Sequence, residues 1–139
     1  VLGDGMQIRD WLDVADHAKG IDLVLQSGGL GENYNIGGNN EWANINIVNL
    51  LCDLLNKVFS NDASLQSRFP LAQNAINGTA ENLIEFVTDR AGHDRRYAID
   101  PSKSNDELGY EPTETFESGI EKTIQWYLNN ETWWKPLLK

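Results

Sequence analysis

The sequence concentrates positive charge in one short segment, although the chain as a whole is acidic. Residues 90–96 contain Arg90, Arg95 and Arg96 together with His93, one of only two histidines. A planar guanidinium can donate two hydrogen bonds to a phosphate group, and one charge-assisted bond of this kind contributes about 1.5–3 kcal/mol. We therefore expect an anion-binding segment, in which Gly92 is free to adopt positive φ and bring the backbone close to a ligand.

A second interpretation of residues 90–96 is an ordinary surface loop. Asp89, Asp94 and Asp100 are near enough in sequence to pair with the arginine side chains. The spacing alone does not decide between a ligand-binding loop and a set of surface ion pairs.

Arg9 forms a second basic position, close to the start of the chain. It follows Gly3-Asp4-Gly5, a sequence that can form a tight turn and present backbone N–H groups. In an extended segment its side chain points away from that of Ile8. Together the two basic positions predict a divided clamp for an anion, although a hairpin turn with a structural salt bridge explains Arg9 equally well.

Other motifs that carry chemistry are missing from the sequence. It contains no G-x-G-x-x-G after a strand, no phosphate-binding P-loop, no metal-ligand spacing and no Tyr-x-x-x-Lys pair. Asp16 and His17 are adjacent on a predicted helix, where their side chains point about 100° apart, so they form no acid/base dyad and His17 is expected to be structural. Cys52 lies in the apolar run 47–55 and is expected to be buried. We predict no catalytic residue, no metal site and no cofactor for this chain.

Composition restricts the classes of partner. A net charge of −10 and a pI near 4.5 argue against a nucleic-acid partner, because such proteins bind phosphates through many Lys and Arg residues. No apolar run approaches the roughly 18 residues of a membrane span, and no signal-like start is present, so we expect no membrane partner and a cytoplasmic location. The 139 residues, 40% of them hydrophobic, suffice for one folded domain over 1–139.

The first half of the chain predicts a helix, a strand and a second helix. Apolar residues recur at helical spacing from Val14, behind the N-cap residue Asp13, and stop at the glycines that follow Ser27. This helix follows a strand-like start. A strand is predicted at 33–36, and a second amphipathic helix follows Asn44 as its cap.

The second half begins with a predicted variable surface connection at 60–82. Strands are predicted at 83–87 and 96–99, on either side of the basic loop. A helix is predicted from Asp100-Pro101 to residue 108, and a last helix after Pro112 with a stripe that includes Tyr127. The coarse pattern is that of a mixed α/β domain.

Four segments, taken in order, resemble the C-terminal portion of bacterial dTDP-glucose 4,6-dehydratases. The resemblance covers nearly the whole chain, apart from residues 60–82. QIRDW combined with DRAGHDRRYAID separates the chain from sibling extended short-chain dehydrogenases, among which UDP-glucuronate decarboxylases rank second. The four segments are GDGMQIRDWLDVADHA, GENYNIGGNNEWAN, DRAGHDRRYAID and ETFESGIEKTIQWYLNNETWW.

The resemblance implies a fold in which an N-terminal Rossmann domain holds NAD and a smaller C-terminal α/β domain binds the nucleotide sugar. Only the second domain would be present here, as a fragment that is inactive alone. The family converts dTDP-glucose to dTDP-4-keto-6-deoxyglucose and water, with NAD and the catalytic residues in the missing part. The parent enzyme would be a homodimer through that missing domain.

The resemblance also assigns a ligand to four residues. Arg9, Asn44, Arg90 and His93 fall where the family contacts the nucleotide diphosphate. The sequence departs from the family pattern at Leu2, where Tyr is common, and in the basic loop, where Ala91 replaces Pro. Two alternatives remain open: a non-catalytic nucleotide-sugar-binding or interaction module, and a fragment of a sibling UDP-sugar epimerase or decarboxylase.

Overall fold

The computed structural model of the chain describes residues 1–138. It divides into two compact units, one formed by Val1–Ile8 with Trp42–Arg96 and the other by Arg9–Glu41 with Tyr97–Lys139. Helices and a small sheet occur together, so the expected α/β class is confirmed, although helices predominate. Within the described range, no helix is long and apolar enough to cross a lipid bilayer. In chain order the elements are β1 (Ile8–Asp10), α1 (Val14–Ser27), β2 (Glu41–Ala43), α2 (Asn44–Asn61), α3 (Ala63–Arg68), α4 (Gln73–Ile76), α5 (Ser102–Leu108), α6 (Phe116–Asn129) and α7 (Glu131–Trp134), with 3-10 helices at Ala80–Leu83 and Lys135–Leu137.

The sheet is smaller than the sequence predicts. β1 and β2 pair with each other and have three residues each, which confirms the strand-like start before α1. The strand predicted at 33–36 is wrong, because these residues belong to no strand. The strands predicted at 83–87 and 96–99 are also wrong, since Val87 and Arg96 form only single bridges. A short apolar run becomes a strand only where another segment runs beside it over several residues.

In the unit that contains Val1–Ile8, α2 is the central helix. Its buried residues are Ile47, Cys52 and Phe59, so the expected burial of Cys52 is confirmed. The side chain of Asn56 fastens this helix to a 3-10 helix, because its Oδ1 accepts the N–H of Ala80 at 3.0 Å.

The stretch predicted as a surface connection, 60–82, is mostly exposed, but it is more helical than expected. This stretch forms α3, α4 and the start of a 3-10 helix, and it buries Leu65, Ala75 and Ala80. Helices of four to six residues complete too few turns to show a hydrophobic period in the sequence.

The other unit contains α1, which is confirmed with the predicted bounds. Asp13 caps it by accepting a backbone N–H at 2.8 Å. The covered face of the helix differs from the predicted one, because Val14 and Leu25 are 79% and 81% exposed whereas Asp16 is buried. The hydrophobic period shows which residues share a face, but it does not show what packs against that face.

The two helices predicted in the last third of the chain are confirmed as α5 and α6. Gly109 ends α5 in the left-handed conformation, at φ 63°. A capping box formed by Thr115 and Ser118 begins α6. In the stripe of α6, Tyr127 is 49% exposed and Leu128 is buried in its place.

Tyr110 is completely buried in this unit. Its hydroxyl donates a hydrogen bond to the carbonyl of Gly37 at 3.2 Å, and its ring lies against Gly20, where an added Cβ would come 3.1 Å from Cε2. Burial, with smaller contributions from the charges of Asp16 and Asp10, raises the pKa of Tyr110 to about 12. The hydroxyl is therefore a neutral hydrogen-bond donor in the core.

Asp16 connects α1 to the segment that precedes α6. Its carboxylate accepts the N–H and the hydroxyl of Thr113, at 2.8 and 2.7 Å, and the N–H of Glu114 at 2.9 Å. Burial alone would raise the pKa of Asp16, but the hydrogen bonds from Thr113 and Glu114 outweigh it, so the pKa lies below the ordinary value.

We predict that Asp16→Ala lowers the free energy of unfolding by about 2–4 kcal/mol, because it removes charge-assisted bonds and leaves backbone N–H groups unsatisfied. The matched control is Asp22→Ala, which removes an exposed carboxylate from the same helix and should change stability by less than about 0.5 kcal/mol. Urea denaturation followed by circular dichroism measures both.

The difference between wild type and Asp16→Ala should depend on pH. Since the folded-state pKa of Asp16 is depressed, its contribution is complete above the unfolded-state pKa and is lost as pH falls through the folded-state pKa. A difference that stays constant down to strongly acidic pH would contradict the assigned role of the charge.

Candidate functional site

The basic segment is a loop held by two single backbone bridges. Val87 bridges to Leu2 before the loop, and Arg96 bridges to Ile8 after it. The loop therefore lies between isolated bridges and not between two strands. Gly92 adopts φ 71°, which confirms the predicted positive φ.

Asp89 and His93 form the most enclosed contact of this loop. Nδ1 of His93 lies 2.7 Å from Oδ1 of Asp89, and the side chain of His93 is only 5% exposed. Because a carboxylate only accepts hydrogen bonds, Nδ1 carries the proton. The hydrogen bond from His93 is the main reason that the pKa of Asp89 lies below its ordinary value, although desolvation opposes it.

Gln7 joins this contact to the start of α2. Its Nε2 donates to the second carboxylate oxygen of Asp89 at 2.7 Å, and its backbone carbonyl accepts the N–H of Asn44 at 3.0 Å. Gln7 is 2% exposed, and its Oε1 has no hydrogen-bond donor within residues 1–138. The sequence offers no signal for this role beyond the position of Gln7 in the QIRDW segment.

Asn44 is the first residue of α2 and not its cap. The N-cap is Ala43, which has no capping side chain, so the predicted capping role of Asn44 is wrong. Its side-chain amide makes no hydrogen bond to the described residues and is available to a ligand.

The arginines of the loop differ in their partners. Nη1 of Arg95 lies 2.9 and 3.0 Å from the two carboxylate oxygens of Asp4. This is a surface ion pair, as the second interpretation expects, but its acid is not one of the three expected from the sequence. Arg90 is exposed, and its guanidinium has no partner within residues 1–138. Asp89 accepts the backbone N–H of Arg90 at 2.9 Å. Arg95 therefore forms a surface ion pair, whereas the ligand-binding role of Arg90 stays a prediction.

Arg9 lies in the other compact unit. Its guanidinium carbon is 4.4 Å from the ring centroid of Tyr97, a cation–π distance. The next residue, Asp10, accepts the N–H groups of Gly38 and Asn40, each at 2.7 Å, and so fixes the end of β1. The backbone N–H groups of Asn44 and Arg90 and the ring of His93 belong to one hydrogen-bond network around Gln7 and Asp89.

The network contains the His93 ring, the Asp89 carboxylate, the Gln7 side chain and the backbone N–H groups of Arg90 and Asn44. None of these groups is a nucleophile next to a base. Within residues 1–138, no three His, Cys, Asp or Glu side chains are grouped so that they could hold a metal ion.

Comparison with known proteins identifies one group of enzymes. A family model described as GDP-mannose 4,6 dehydratase matches residues 1–123. The dTDP-glucose 4,6-dehydratase of Neisseria meningitidis serogroup B is 50% identical over 138 residues, which are 99% of this chain and 36% of that protein. The crystal structure of the Bacillus anthracis dTDP-glucose 4,6-dehydratase in complex with NAD has a TM-score of 0.76 and 45% identity, over 99% of this chain and 36% of that one. The crystal structure of the enzyme of the same name from Streptomyces venezuelae, with NAD and TYD bound, has a TM-score of 0.77 and 37% identity, over 98% of this chain and 35% of that one.

The chain therefore spans about a third of the length of these relatives. Its small α/β fold is shared with dTDP-glucose dehydratases of the extended short-chain dehydrogenase fold. The resemblance found in the sequence is confirmed at this level.

Gly3 makes room for the carboxylate of Asp89. Its N–H donates to the carbonyl of Val87 at 2.9 Å, its φ is +54°, and an added Cβ would lie 2.8 Å from Oδ2 of Asp89. Gly92 has a similar φ of +71°, but an added Cβ there would meet nothing within 4 Å. A substitution at Gly92 therefore adds backbone strain alone, whereas one at Gly3 adds backbone strain and displaces Asp89.

We predict that Gly92→Ala lowers the free energy of unfolding by about 1–2 kcal/mol, the cost of a left-handed residue with a Cβ. Gly3→Ala should cost about 1–3 kcal/mol more, because it also displaces Asp89. Urea denaturation of both variants measures the difference, and equal losses would contradict the close contact at Gly3.

Proposed function

Because the chain belongs to the GDP-mannose 4,6 dehydratase family, we propose that it is the nucleotide-sugar-binding, C-terminal portion of a dTDP-glucose 4,6-dehydratase. The ligand is dTDP-glucose or a closely related nucleotide sugar. The complete enzyme converts it to dTDP-4-keto-6-deoxyglucose and water. The observation that carries the proposal is the exposed guanidinium of Arg90, which no described residue neutralises, in the same loop as the enclosed imidazole of His93.

The proposed contacts are those of a diphosphate site. Arg90 can donate two hydrogen bonds to phosphate oxygens, and the carboxamide of Asn44 can donate one. When His93 is protonated, both of its ring nitrogens are donors, and Asp89 accepts from Nδ1. Arg9 remains part of the proposal on the strength of the sequence resemblance.

NAD supplies the hydride chemistry of the complete enzyme, but residues 1–138 do not fit this cofactor. Dinucleotide sites place the pyrophosphate at a helix N-terminus reached from a strand through a glycine-rich turn. Here the turn at Gly3–Gly5 leads into β1, and Gly37 and Gly38 precede β2. The proposal therefore places NAD on another part of the enzyme and the nucleotide sugar on this chain.

We predict that dTDP binds this chain and that Arg90→Ala weakens binding about ten- to a hundred-fold, which corresponds to the loss of one or two charge-assisted bonds. Isothermal titration calorimetry measures the affinity after circular dichroism has confirmed folding. Arg95→Ala is the matched control, because it removes the same charge from a guanidinium already paired with Asp4.

Arg95→Ala should weaken dTDP binding by only a few-fold. Equal losses in the two variants would indicate a general charge effect and would contradict a specific clamp. A folded wild-type chain that does not bind dTDP would overturn the diphosphate site.

The activity of the complete enzyme can be tested in a chimera. We predict that the Neisseria meningitidis relative stays active when its matching segment is replaced by this chain, and that adding Arg90→Ala reduces conversion of dTDP-glucose at least ten-fold. Chromatography of the nucleotide-sugar product measures conversion. A folded chimera that binds dTDP-glucose without converting it would favour the non-catalytic module over the dehydratase.

A further inference from the structure

One carboxylate contacts both residues that carry the proposed diphosphate site. Oδ1 of Asp89 accepts Nδ1–H of His93 at 2.7 Å and the backbone N–H of Arg90 at 2.9 Å. Oδ2 accepts Nε2–H of Gln7 at 2.7 Å. Asp89 thus contacts two residues of the basic loop and one residue near the start of the chain, although its own side chain is one-third exposed.

The contact with His93 determines which ring nitrogen carries the proton. The carboxylate accepts the proton of Nδ1, so Nε2 carries no proton in the neutral ring and carries one in the protonated ring. The position of the carboxylate is itself determined on two sides. Gln7 holds one of its oxygens, and Gly3 leaves space that a Cβ would occupy.

The sign of the charge makes this arrangement informative. A carboxylate next to a diphosphate repels it, so simple Coulomb interaction would make Asp89 unfavourable for binding. A benefit to binding must therefore come from the groups that Asp89 orients. Removing the carboxylate should then have the opposite effect from the one that charge alone predicts.

We propose that Asp89 is the positioning residue of the anion site: its carboxylate fixes the orientation and tautomer of His93 and holds the backbone of Arg90. The inference rests on the proposed diphosphate-binding function. It assigns to Asp89 an effect on the ligand that passes through His93 and Arg90, without direct contact between Asp89 and the ligand.

The binding test compares two acidic residues of the same loop in this chain, with dTDP as the probe. Asp89→Ala and Asp89→Asn should weaken dTDP binding about ten-fold in calorimetry, in line with losses at other orienting residues. Asp94→Ala removes a negative charge from the same loop but keeps the Asp89 carboxylate, and should leave the affinity unchanged or raise it. Tighter binding by the Asp89 variants would overturn the proposal.

The spectroscopic test reads His93 directly and needs no ligand. Long-range proton–nitrogen NMR spectra at pH 8 should show the proton of His93 on Nδ1 in the wild type and redistributed between the two nitrogens in Asp89→Ala. His17, which is exposed on α1, provides an internal reference, and His17→Gln assigns the signals. An unchanged tautomer in folded Asp89→Ala would overturn the positioning role.

The two tests separate this inference from the proposed function. If dTDP does not bind the wild type but the tautomer of His93 depends on Asp89, the diphosphate function fails and the orienting contact stands. If dTDP binds through Arg90 but Asp89→Ala changes neither affinity nor tautomer, the function stands and the inference fails. Thermal unfolding of each variant shows that the comparison is made between folded proteins.

Discussion

Aspartate carboxylates that accept backbone N–H groups hold the irregular segments of this chain in place. The sheet has two strands of three residues each, so it provides few partners for N–H groups outside the helices. Asp10 holds the loop at Gly38–Asn40, Asp16 holds Thr113–Glu114, and Asp89 holds the basic loop. A buried N–H group left without a partner costs about 1–3 kcal/mol. These few carboxylates therefore accept backbone hydrogen bonds that a larger sheet would otherwise satisfy.

This arrangement gives some of the many acidic residues a structural role. The chain has 21 acidic and 11 basic residues, and several of the acids serve as hydrogen-bond acceptors inside each unit. The diphosphate of the proposed ligand would meet an overall repulsive field and a local attraction at Arg90. At physiological ionic strength charges are screened beyond about 8 Å, so the local guanidinium outweighs distant carboxylates at contact distance. The position of Arg90 then matters more than the net charge.

The sequence predicted the elements that carry their own local signals. Helix α1 has a hydrophobic period and the Asp13 cap, and Gly92 has the positive φ that the basic loop suggested. Strand β2 and helices α3 and α4 were missed because each is too short to show a period. The roles of Gln7 and Asp89 could not be predicted, since they depend on contacts between residues 82 positions apart. Charge clustering singled out Arg9, Arg90 and His93, whereas Asn44 and the diphosphate role of all four residues rest on the family resemblance.

The single cysteine of the chain lies in one of the two compact units, so a thiol reagent probes the stability of that unit alone. Cys52 is buried in α2, and desolvation, with smaller contributions from nearby carboxylates, raises its pKa. The thiolate is the nucleophile that reacts with thiol reagents. Because Cys52 is buried, its labelling requires α2 to separate from its neighbours. The rate of labelling therefore measures the opening of the unit that contains Arg90 and His93. The other unit has no cysteine and does not react. A ligand that occupies the basic loop and stabilises this unit would protect Cys52 without touching it.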